Sequence, residues 1–67
     1  MKSTKIAAGR YEVKMNKGNT WTLLKNNDLS GPAKWIAYND DNSNDVTDPM
    51  FTKAEVLEVL TRIDEKG

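Results

Sequence analysis

The sequence predicts an α+β fold, a three-stranded antiparallel sheet packed against one C-terminal helix (β-β-β-α). Three observations lead there. Residues 10–15 alternate, with Tyr11, Val13 and Met15 on one side and Arg10, Glu12 and Lys14 on the other, the period of a half-buried strand. Residues 20–25 and 34–39 carry the Trp, Tyr, Thr, Leu and Ile content that suits a pleated surface. Residues 52–65 change period, so that Val56, Leu57, Val59, Leu60 and Ile63 fall within one sector of a helix.

Taken in order, residues 1–8 show no clear period and read as a loose N-terminal arm or an extension of the first strand. The sheet occupies 9–39. Its first turn lies in Asn16-Lys17-Gly18-Asn19, where Gly18 and Asn19 tolerate positive φ. A two-residue loop would oppose Lys14 to Trp21 and mix the faces. A three-residue loop at Lys17-Gly18-Asn19 opposes Met15 to Trp21, Val13 to Leu23 and Lys14 to Thr22, and keeps one apolar face. Asn26 to Ala33 is a connection rich in turn formers, with Leu29 as its inward anchor. In the third strand either Ile36 and Tyr38 or Trp35 and Ala37 face the helix; the larger combined area favours Ile36 and Tyr38.

Residues 40–51 form an acidic, amide-rich loop that is expected not to pack. Helix 52–65 follows. Thr52 is its N-cap, Glu55 stands where a capping box needs it, and Phe51 and Val56 have the spacing of a hydrophobic staple. A lone helix of about 13 residues is marginal in water, so it needs the sheet as a partner.

Sixty-seven residues allow one domain, 1–67. A chain this short buries only roughly 60% of the surface its unfolded form exposes. With no cysteine and no histidine, disulfides, thiolate metal sites and the usual neutral-pH base are all absent. No cofactor, metal or small-molecule substrate is expected, and catalysis is not. Met1 to Ala8 holds too short an apolar run for a signal-peptide core, and no run has membrane-spanning length, so a cytoplasmic setting without membrane contact is expected. Formal net charge is zero, yet residues 1–34 hold seven bases and two acids whereas 35–67 hold three bases and eight acids. Such an asymmetry points either to halves that face one another or are each simply solvated, or to a charged partner.

One helix covers one face of a three-stranded sheet. The other face is expected to expose Arg10, Lys14, Thr22 and Leu24 with an aromatic, Trp35 or Tyr38 according to the third strand's choice. An aromatic with an apolar neighbour and a polar rim is the composition of a protein-binding patch, for a protein partner or a second copy of the chain. The alternative is a nucleic-acid module, in which aromatic and basic side chains of the sheet stack bases and meet phosphates. Protein binding is favoured because the chain is neutral overall. Short, cysteine-free chains of this style occur among phage and mobile-element accessory proteins that bind and modulate a host protein.

Asp40, Asp41, Asp45 and Asp48 are a possible secondary contact for a basic partner. An EF-hand register begun at Asp41 fails, with Val46 where glycine is needed and Thr52 where a bidentate Glu is needed. Lys34-Trp35-Ile36-Ala37-Tyr38, the acidic loop, and Phe51-Thr52-Lys53-Ala54-Glu55 opening a helix together resemble part of the plant ethylene-response-factor DNA-binding domain and the arm-binding domains of some integrases. The resemblance covers about 20 residues. It implies a three-stranded sheet on one helix and DNA reading by the sheet, although the arginine-rich strands of those domains are absent here.

Overall fold

Five strands and one helix follow one another along the chain: β1 (Lys2–Ala7), β2 (Arg10–Lys14), β3 (Thr20–Lys25), β4 (Trp35–Asn39), β5 (Asn42–Val46) and α1 (Lys53–Lys66). The computed structural model describes residues 1–66, apart from the side chain of Ser43. Each strand pairs antiparallel with the next, so the sheet order is β1-β2-β3-β4-β5. The α+β class and the C-terminal helix on one sheet face are as expected. Two further strands extend the sheet beyond the expected three.

β1 is the first addition. All six of its residues are exposed, so it has no apolar alternation to find. It is held by its pairing with β2, from Lys2 opposite Lys14 to Lys5 opposite Tyr11, and the register slips before Ala7 meets Arg10. The reversal at Ala8-Gly9 is tight, and Gly9 sits at φ +71°, which a Cβ-bearing residue resists. β5 is the second addition, inside the segment expected not to pack. Asn39 and Asn42 close the turn with their own amide oxygens, which accept from the N–H groups of Asp41 (2.9 Å) and Asn44 (3.1 Å). Beyond it the Thr47 hydroxyl accepts from the Ala37 N–H at 3.0 Å, and Met50 and Trp35 exchange backbone hydrogen bonds at 2.8 and 2.9 Å. The acidic stretch therefore lines the whole outer side of β4.

The first long hairpin has the expected loop length in a different place. Gly18 N–H donates to Met15 O at 3.1 Å and Met15 N–H to Asn19 O at 2.8 Å, so the loop is Asn16-Lys17-Gly18, with Gly18 at φ +98°. Val13 consequently opposes Trp21, Tyr11 opposes Leu23 and Lys14 opposes Thr20. This differs from the expected register by two residues. A slip of two keeps every side chain on its face, and the apolar face stays whole.

That face forms the core: Val13, Met15, Trp21, Leu23 and Ala37 from the sheet, with Val56 and Leu60 from α1. Tyr11, Trp35, Met50 and Leu57 pack against it. The expectation for β4 is thus corrected, since Trp35 and Ala37 face the helix and Ile36 and Tyr38 face away. The reason is steric. α1 lies over β3 and β4, and the position beneath it must be small; Ala37, fully buried, lets the helix approach. Trp35 lies at the periphery, its ring centroid 6.4 Å from that of Tyr11.

At the helix start the Thr52 hydroxyl accepts from Glu55 N–H at 3.2 Å and meets the Glu55 carboxylate at 3.1 Å. The Thr52 N-cap is as expected, but the capping box differs: the Glu55 carboxylate accepts from the Thr52 hydroxyl instead of the Thr52 N–H. The staple is not formed: Phe51 is 65% exposed, while Val56 is fully buried in the core. Met50, one residue earlier and tied to β4, packs on the core in its place.

Candidate binding surfaces

The face opposite the helix is built by register. One row runs Thr4, Glu12, Thr22, Tyr38 and Val46, and the next runs Arg10, Leu24 and Ile36. Lys2 and Lys14 pair at one end. Arg10, Lys14, Thr22 and Leu24 therefore share this face as expected, and Tyr38 and Ile36, favoured for the helix side, join them. Trp35 does not, because β4 turns it under the helix.

Thr22 stands at the centre and is buried although no element covers it. Its hydroxyl donates to Asp40 Oδ1 at 2.7 Å, and Leu24, Ile36 and Tyr38 around it are half-buried. The centre of the face is accordingly a low apolar patch. Arg10 and Lys14 are exposed, with Glu12 between them on the strand.

On the helix side lies a feature that sequence reasoning missed. A groove of about 540 Å³ runs between α1 and the chain that follows β5. Trp21 is its floor, Met50, Val59 and Ile63 are its apolar walls, and Asp45 and Asp48 stand at its edge. A second hollow of about 290 Å³ shares Trp21, Asp45 and Ile63 with it and reaches Asp64 and Lys17. Ile63, expected inside with the rest of its sector, is 40% exposed here. The signal for it lay in the helix itself. An apolar sector as wide as Val56 to Ile63 exceeds what a seam centred on Val56 and Leu60 can bury.

Asp40, Asp41, Asp45 and Asp48 are exposed. Asp40 serves Thr22, and Asp45 Oδ2 accepts from the Asn39 amide at 3.4 Å. Among the described residues no three acidic side chains gather as a cation site would require, and none of these four carboxylates has a base within 4 Å. Among the described residues no helix is long and apolar enough to cross a membrane. Comparison with protein-family models, curated proteins and solved structures finds no match for this chain.

Proposed function

We propose that this chain is a non-catalytic binding module whose uncovered sheet face engages a protein partner. The observation that carries the reading is the adjacency of Leu24, Ile36 and Tyr38, half-buried and flanked by Arg10 and Lys14, on a face that no element of the chain covers. Apolar groups that leave a sheet only partly shielded, ringed by charge, have the anatomy of a protein contact. An accessory chain that modulates a larger protein fits this size and this lack of catalytic groups.

A second reading, nucleic-acid binding by the same face, draws support from the Lys2–Lys14 pair at one end of it and Arg10 at the other. Glu12 and Asp40 on that face and the neutral total charge weigh against it.

The test is affinity capture from nuclease-treated lysate with the wild-type chain and with Ile36→Glu and Tyr38→Ala. The expected result is a protein retained after nuclease by the wild type and released by both variants. Capture that nuclease abolishes moves the face to the second reading. Identical capture by all three chains overturns the role of the face.

A further inference from the structure

We propose that copies of this chain associate head to tail, the basic turn around Ile6 of one copy entering the acid-edged groove beside Ile63 of the next. This inference shares only Arg10 with the open sheet face.

Each half of the contact is visible in the monomer. At the turn between β1 and β2, Ile6 is 57% exposed, among the most exposed of the large apolar side chains. Lys5 precedes it, and Arg10 follows the turn. Lys25 joins them, because its N–H donates to Gly9 O at 2.9 Å. None of these three cations has a carboxylate within 4 Å among the described residues. The groove offers the converse: apolar walls at Met50, Val59 and Ile63, with the carboxylates of Asp45 and Asp48 at its edge and, among the described residues, no base within 4 Å of them. An aliphatic anchor with cations on either side of it thus has a counterpart, an apolar slot with two carboxylates at its edge.

The chain cannot satisfy both halves by itself. β1 and β5 are the opposite edges of the sheet, so the turn and the groove lie on opposite sides of the molecule. Charge also decides which surfaces of two copies meet. Turn against turn sets Lys5, Arg10 and Lys25 against themselves, and groove against groove sets Asp45 and Asp48 against themselves. Only the heterologous pairing brings opposite signs together. A heterologous contact leaves a free turn at one end and a free groove at the other, so it grows into a ring or an open filament. The overall neutrality of the chain removes the net repulsion that would oppose growth.

The test is sedimentation equilibrium from about 1 μM to about 1 mM, the span of weak to moderate affinities. The wild type is expected to gain mass with concentration at low salt and to return to monomer near 1 M salt, where screening acts within about 3 Å. Ile6→Asp and Ile63→Asp, both at exposed positions, are each expected to stay monomeric with an unchanged circular dichroism spectrum. Mixed in equal amounts they are expected to give a dimer that grows no further, because one supplies the intact turn and the other the intact groove. Should Ile63→Asp fail to fold, Asp48→Lys in the exposed segment replaces it, with association about tenfold weaker. Tyr38→Ala leaves this association unchanged, which separates it from failure of the open-face reading. A wild type that stays monomeric throughout, or variants that assemble as it does, would overturn the proposal. So would a mixture of monomers only.

Discussion

Asp64 closes the fold onto Asn16. The backbone N–H of Asn16 donates to both carboxylate oxygens of Asp64, at 3.0 and 3.1 Å, across 48 residues of sequence. The amino group of Met1 stands 3.6 Å from the same carboxylate, whose side chain is 3% exposed. The last turn of α1 is thereby tied to the β2–β3 loop, at the end of the helix where apolar contacts thin out. Hydrogen bonds to a charged group contribute about 1.5–3 kcal/mol, and a stranded partner adds its own cost. Asp64→Ala is therefore expected to lose about 2 kcal/mol in urea denaturation, seen as a lower midpoint with the slope unchanged. Asp64→Asn keeps an acceptor and is expected to lose less. Equal stability of Asp64→Ala and wild type would show that the clasp is ornamental.

The start of α1 separates a cap from a staple. Thr52 supplies the capping hydroxyl, so Thr52→Ala is expected to cost about 1 kcal/mol, read as a lower melting temperature. Phe51 is 65% exposed, and Phe51→Ser is expected to stay within about 0.5 kcal/mol of wild type. Met50→Ala, which empties a position packed on the core, is expected to cost more than either. A large loss with Phe51→Ser would restore the staple.

Gly18 isolates a purely conformational cost. Its φ is +98°, and a Cβ placed there meets no atom within 4 Å. Gly18→Ala is thus expected to destabilise by about 1–2 kcal/mol through backbone strain alone, measured by chemical denaturation. Gly18→Asn is expected to cost less, because asparagine tolerates left-handed backbone better than alanine does.

What could be read from the chain, and what could not, divides along physical lines. β2, β3, β4 and α1 were legible because each buries one face against the other and so writes its period into the residues. β1 writes nothing, since its six residues are all exposed; Gly9 was its trace, taken as the start of the next strand rather than as a turn. β5 is spelled in Asn and Asp, which disfavour strands, and it persists because β4 needs its outer hydrogen bonds filled. Of the open face, Arg10, Lys14, Thr22 and Leu24 follow from alternation alone, whereas alternation leaves Tyr38 and Trp35 as alternatives. Trp35 departs from expectation because the space left beneath α1, rather than summed area, decides which side of β4 turns inward. Of the groove, only the apolar wall on α1 is legible, in the width of its apolar sector; its other wall, the segment after β5, depends on a relation between distant stretches that no local period encodes.

The choice made by β4 can be tested directly, since the two orientations predict opposite mutational patterns. With Ala37 fully buried beneath α1, Ala37→Leu has no room, and overpacking is expected to cost about 1–3 kcal/mol or more. Ile36 is half-buried on the uncovered face, and Ile36→Thr keeps the β-branched shape that a strand favours. That substitution is expected to cost well below the 2–5 kcal/mol of a buried truncation. Both are read from urea midpoints at matched slope. If Ile36→Thr proves the more damaging, the strand is turned over, Trp35 returns to the open face, and the patch around Thr22 must be rebuilt around it.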